Sequence, residues 1–429
     1  MSSTPTPGVY YGWKIVAAIL VMLTFVTGLS FYNHAVILNA LARLPAFTVQ
    51  SASAAVSLFF LSAGVAGVGV AKWIQRTDVR VCISFGALIS CLSLSLLAWV
   101  ETVWQLYAVY MLFGVGFAAS NLIPATTLVT RWFQRKRAMA LAVASTGLSL
   151  GGVVITPVCA LMVESIGLQR AAPIMGLLYL LGVIPVAWIW LRPSPESIGL
   201  QIDGGKAEEI VDVALPASVV SPLKVQHGVG DGITFREAWH GRFFWCLGLS
   251  YILLMLAQVG GISHQYGLAR ELLNDAQTAL VVAILPVGSI VGRLAGGWIV
   301  EQVSTRVFAT IMMILQVVSL ALLALGLGVA GLCIGLALFG ITVGNLLMLQ
   351  PLLVAEAYGV RDYARIFSMN NLMSSWGTAS GPVLLGAVYA AGNNQYGAAY
   401  FLAAAAGFLG LLLFALGGPV RQHGSRSGS

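Results

Sequence analysis

The chain has 429 residues, of which 59% are hydrophobic and only 9% charged, with a formal net charge of +7 and a mean hydropathy of +0.90. That balance excludes a water-soluble globule. It also removes nucleic acid as the meaning of the positive charge, because the basic residues follow a membrane pattern.

Hydropathy predicts twelve helical spans, good to a few residues, near 13–40, 51–72, 81–99, 104–130, 138–163 and 171–191, then 243–268, 276–300, 306–327, 329–355, 365–391 and 396–418. Runs of about 20 apolar residues cross the hydrocarbon as helices, whereas barrel strands would alternate over about ten. The start lacks the charged region and cleavage site of a secretory signal, so the first run is expected to stay as a helix. Eighteen of the 22 Lys and Arg residues fall on one side if both termini are cytoplasmic, leaving Arg43, Arg170 and Arg270 outside and Arg293 in the membrane. The positive-inside rule therefore sets both ends in the cytoplasm of an inner-membrane protein.

The polar stretch 192–240 reads as a cytoplasmic linker between a six-helix bundle at 1–191 and a second at 241–418, with 419–429 a disordered tail. The halves are weakly alike. Phe113-Gly114, Pro124 and Pro157 in the first are echoed by Phe339-Gly340, Pro351 and Pro382 in the second. Two such halves suit alternating access around a central site.

His34 in the first span and His264 in the seventh occupy nearly equivalent places, and imidazole changes charge near neutral pH, so both are proton-coupling candidates. A neutral, hydrogen-bonded histidine is the competing reading. Asn121 in the fourth span and Asn345 in the tenth lie near mid-depth, with Asn370, Asn371 and Trp376 in the eleventh. Amides can donate to a carboxylate while an aromatic wall holds an apolar tail; interhelical glue is the alternative. Gly147, Ser149, Gly377 and Thr378 are small enough to leave a substrate room. Arg293 is the only formal charge well inside any span, and a guanidinium at that depth is costly enough to mark an anion path. The four basic residues of 131–137 read as topology control, and Trp13, Trp104, Trp132, Trp188, Trp190 and Trp239 as interfacial anchors. The five cysteines show no paired spacing, and neither a metal set nor a nucleophile constellation is present, so no cofactor and no enzyme activity is expected.

Several stretches narrow the reading. YGWKIV (11–16), RWFQRKRAMALAVASTGLSLGG (131–152), GRLAGGWIVEQV (292–303) and RPSPESIGLQIDG (192–204) together resemble bacterial monocarboxylate-porter-like and oxalate–formate-antiporter-like carriers of the major facilitator superfamily. The resemblance covers essentially the whole chain. It implies an all-α polytopic fold of twelve helices in two pseudo-symmetric bundles, and a substrate-binding role for Arg293. Departures are present too. Gln75-Arg76 and Glu301-Gln302 stand where the superfamily's loop motif usually carries an Asp-Arg pair. Ser289 replaces an aspartate, Ala35 a lysine, and Trp376 the second cation of the oxalate–formate exchangers. One cation suits a singly charged anion.

The expected function is secondary transport of a small monocarboxylate with a proton, for which a monomer in the bilayer suffices. An exporter or exchanger of another organic anion or amphiphile is the alternative, and a non-transporting membrane sensor a third.

Overall fold

The computed structural model describes residues 10–74, 76–133, 137–204, 233–300, 302–359 and 362–418. Gln75, Arg135, Lys136, Glu301, Arg361, the middle of the linker and the tail lie outside them. Among the described residues there are helices and no strands. Eleven helical spans are long and apolar enough to cross a bilayer. They are α1 (Gly12–Leu41), α2 (Val49–Ile74), α3 (Val79–Trp99), α4 (Val103–Val129), α5 (Met139–Ile166), α6 (Leu168–Ile189), α7 (Arg242–Arg270), α8 (Asp275–Ile299), α9 (Thr305–Ala324), α10 (Gly328–Tyr358) and α12 (Tyr396–Leu416). The twelfth helix, α11 (Tyr363–Ala391), has 29 residues but carries NNLMSSWGTASG at its centre, and it is not apolar enough to join that set.

The chain divides into two compact units, Met1–Ala40 with Ser62–Pro216, and Leu41–Leu61 with Ala217–Ser429. The early part of α2, which the sequence places in the first half, thus packs with the second unit. The reason is polar: Ser57 Oγ accepts from the Val383 N–H at 3.1 Å, and Ser53 Oγ sits 3.3 Å from His264 Nε2. At the start of α8, Asp275 pairs with Arg43 at 2.9 Å and also with Arg270 at the end of α7. Glu271 accepts from the Tyr396 N–H at 2.9 Å, so it closes the start of α12, and burial pushes its carboxyl above the usual range.

Within each unit, helix pairs approach backbone to backbone, α3 and α4 at Gly86 and Gly116 among them. In the first, a Cβ on Gly147 or Gly151 would come under 3.0 Å from the carbonyls of Leu20 or Thr24. In the second, Gly377 and Gly381 stand the same way against the carbonyls of Ile252 and Leu256. The sequence repeat is therefore also a repeat of contacts, α1 on α5 and α7 on α11. Gly147 and Gly377, expected to give a substrate room, serve packing instead. Small residues allow such approach, and dispersion replaces the hydrophobic drive that lipid removes. A further seam joins α8 to α10, where Gly288, Gly292 and Gly296 are spaced by one turn and meet Ala337, Ile341 and Asn345.

Two spans of the first unit are interrupted. α1 breaks between Leu29 and Asn33, and α4 breaks at Asn121 (φ −99°, ψ −131°). Pro124 explains the second: it has no N–H for the Ser120 carbonyl, and its ring collides with that carbonyl in a regular helix. Trp132 departs from its expected role as an interfacial anchor. It is fully buried, donates its indole N–H to the Arg192 carbonyl at 3.0 Å, and packs against Tyr10 and Tyr11. Trp104, by contrast, is 80% exposed.

Gly377→Val should lower the unfolding temperature in detergent by the equivalent of about 1–3 kcal/mol of overpacking. Gly297→Ala, which meets nothing within 4 Å, should leave it within error. Equal tolerance of both would remove the packing assignment.

Candidate functional site

Arg293 lies on α8, and the helix around it is sorted by face. Gly288, Gly292 and Gly296 are buried against α10, while Val287, Val291, Leu294 and Trp298 are exposed apolar residues. Arg293 falls on neither stripe, at 100° per residue from Gly292, and it is partly buried. Gly297, one turn further on the same side, has open space where a Cβ would stand.

Asn345 holds that helix in place. It is 1% exposed, and its Nδ2 donates to the carbonyls of Gly292 and Ile341, both at 2.9 Å. Asn370 is also buried and donates to its own helix at Ile366 O, 3.3 Å away, with its side chain beside Gly248. Each of these two amides, expected to face a substrate, gives its nitrogen to helix carbonyls and keeps an oxygen that meets no donor among the described residues. Gln350 on α10 donates to Ser374 Oγ on α11 at 2.7 Å, and Ser374 donates to the Asn370 carbonyl at 3.0 Å.

On the other side of α11 the picture reverses. Asn371 is exposed, Ser375 is partly so, and Trp376 is 65% exposed. The Ser375 hydroxyl donates to the Asn371 carbonyl at 2.9 Å, so the Asn371 amide is the polar group on this face that hydrocarbon would leave unsatisfied. This polar face is what keeps α11 out of the apolar set.

Asn121 belongs to the first unit, at the α4 break, where its Oδ1 is buried and meets no donor among the described residues. An interrupted span with a polar residue at the gap is the kind of place where a ligand can complete the hydrogen bonding. His34 is fully buried against the rings of Tyr110 (5.6 Å) and Phe113 (5.9 Å). His264 is equally buried, with Nε2 3.0 Å from the Pro382 carbonyl. A carbonyl only accepts, so Nε2 carries the hydrogen and Nδ1 is the bare nitrogen of the neutral ring. Sequence reasoning missed Gln258 and Gln265 on α7. Both are 1% exposed, with carboxamide oxygens that meet no donor among the described residues; their signal was two amides in the same span as His264.

The model of the Major Facilitator Superfamily matches residues 20–267 and 251–428. The chain belongs to the Major Facilitator Superfamily. It is a multi-pass membrane protein by that membership. The MFS transporter asaE of Aspergillus flavus is 23% identical over 65% of this chain and 57% of its own length. Monocarboxylate transporter 12 of Rattus norvegicus is 24% identical over 53% of this chain and 48% of its own. The chain thus spans about half the length of such relatives. Among solved structures, the nucleoside transporter NupG superposes with a TM-score of 0.72 at 12% identity, covering 94% of this chain and 99% of that one. A bacterial homolog of the human lysosomal transporter Spinster gives 0.68 at 17%, covering 96% of each. At such identities these likenesses speak for the superfamily fold alone.

Asn345→Ala should loosen the α8–α10 seam and lower both thermal stability, by about 1–3 kcal/mol, and uptake. Asn371→Ala should lower uptake with no loss of stability. Thermal unfolding and transport measured on the same preparations separate the two; matching stability losses would make Asn371 a packing residue as well.

Proposed function

We propose that this transporter moves a small monocarboxylate together with a proton by alternating access, and that Arg293 takes the carboxylate. The observation that carries the reading is a guanidinium inside a membrane-length span, on a helix face that neither packs as the glycine seam does nor joins the exposed apolar stripe. Guanidinium holds a carboxylate through two parallel charge-assisted hydrogen bonds, a geometry lysine lacks. Asn371 and Trp376 of the second unit line the cargo's path. Similarity to a protein named as a monocarboxylate transporter supports the substrate class. The excess of basic residues on one side supports an inner-membrane protein with cytoplasmic termini, its halves joined by the 192–240 linker.

His264 is the better placed of the two histidines for the proton, because the Pro382 carbonyl fixes its tautomer and leaves Nδ1 to accept. A charged ring in that buried place would be costly, so protonation requires movement around it.

Uptake of lactate into proteoliposomes, with and without an inward proton gradient, tests the reading. Arg293→Lys and Arg293→Ala should each cut uptake at least about thirtyfold, as for loss of a buried charge partner, while the variants still purify as folded monodisperse protein. Lactate uptake at the normal rate by either would refute the assignment. In the same vesicles His264→Asn should lower the ratio of uptake with the gradient to uptake without it; an unaltered ratio would place the proton elsewhere.

A further inference from the structure

We propose that Glu271 takes the proton from the outer water and passes it, by way of the Tyr396 hydroxyl, to His264; this rests on the proton-coupled reading above. All three residues belong to the second unit, and three observations lead there.

The first is access. His264 is fully buried and Tyr396 is 3% exposed, whereas Glu271, just past the end of α7, is exposed. With both termini cytoplasmic, that end of α7 is the outer one. The His264 ring keeps Nε2 on the Pro382 carbonyl, and its buried Nδ1 meets no partner among the described residues. The accepting nitrogen is in place but shut off from bulk water, so its proton has to come through another group.

The second is a stripe along α7. Residues three, four and seven apart share a helix face, which puts His264, Gly267 and Glu271 in one row. Tyr396 lies along it. Its N–H donates to the Glu271 carboxylate at 2.9 Å, a Cβ on Gly267 would overlap its phenol oxygen, and its ring centre is 5.6 Å from that of His264. One tyrosine thus spans the roughly 10 Å that seven residues of helical rise put between the two titratable groups. Gly267 makes the room, since any side chain there would lift the phenol off the row.

The third is what surrounds the carboxyl. It is turned in against Tyr396, and burial holds it above the usual carboxylate range although the N–H bond lowers it. A glutamate so placed takes up a proton in milder acid than a solvated one. Tyr389 on α11 stacks on Tyr396 at 4.3 Å, and Tyr400 on α12 gives its hydroxyl to the Gly261 carbonyl; phenols stay uncharged near neutral pH. The nearby charges are Arg270, Asp275 and Arg43, and both arginines pair with Asp275. Among the described residues, the α9–α10 side of the cleft beside Glu271 brings leucines and glycines only.

The transfer leaves no group altered but the base. A proton on the Glu271 carboxyl passes through bridging water to the Tyr396 oxygen, which gives up its own hydrogen toward Nδ1. Glu271 returns to carboxylate, Tyr396 is regenerated, and His264 becomes imidazolium with Nε2–H still on the Pro382 carbonyl.

Two assays on the same proteoliposomes separate this role from a structural one. Lactate uptake driven by an inward proton gradient needs the entry path, while exchange of labelled for unlabelled lactate at equal pH moves no net proton. Glu271→Gln keeps an acceptor for the Tyr396 N–H but cannot carry a proton. It should lower gradient-driven uptake at least about tenfold and leave exchange within about twofold. Tyr396→Phe, which keeps the ring on Tyr389, should do the same, and decides alone if Glu271→Gln fails to purify. Gradient-driven uptake at the wild-type rate in either variant, or equal losses in both assays, overturns the proposal. Wild-type uptake that is indifferent to the gradient removes the proton reading and this inference with it.

Discussion

In hydrocarbon there is no water to drive helices together, and the fold rests on backbone approaching backbone at a few glycines. Gly147 and Gly151 against α1, and Gly377 and Gly381 against α7, bring carbonyl oxygens within reach of Cα hydrogens. Because these seams take so little of each helix's circumference, the remaining faces are left for other work. α11 shows this best: one side locks onto α7 through glycine, the opposite side presents Asn371, Ser375 and Trp376. The same logic holds on α8, where the Gly288–Gly292–Gly296 row occupies one stripe and leaves Arg293 turned away from it.

Buried polar groups are sorted by the same constraint. Each amide or hydroxyl inside a span has to find a partner, and most of the partners here are backbone carbonyls. Asn345 and Asn370 are used that way, as are the many Ser and Thr hydroxyls that bond back to their own helix. The two amide nitrogens are met in this way, but the carboxamide oxygens of Asn345 and Asn370, like those of Asn33, Asn121, Gln258, Gln265 and Gln316, meet no donor among the described residues.

Much of this was legible in the chain. Span positions follow from length and hydropathy, and the repeat from FG and proline spacing. What could not be read is direction. A linear pattern does not say whether Asn345 points at cargo or at Gly292 O, nor that Trp132 turns inward to Arg192 O instead of outward to headgroups. Nor does it show that Gly147 and Gly377 serve packing. The α4 interruption was available in principle, since Pro124 sits four residues after Ser120. Proline is common enough in membrane helices, however, that its presence alone does not foretell a break; Pro351 lies inside an unbroken α10. The early part of α2 joins the second unit through two serines, a contact that depends on three-dimensional neighbours and leaves no mark on hydropathy.

The low apolarity of α11 reaches back to how the protein is made. A segment with two asparagines and three serines near its centre partitions poorly into bilayer on its own, so its insertion leans on neighbours already in place. α7 and α10 precede it during synthesis and supply the glycine-lined groove and the Gln350 amide that it needs. Membrane integration of this helix is thereby tied to tertiary assembly, and lesions in α7 or α10 will register first as failed biogenesis.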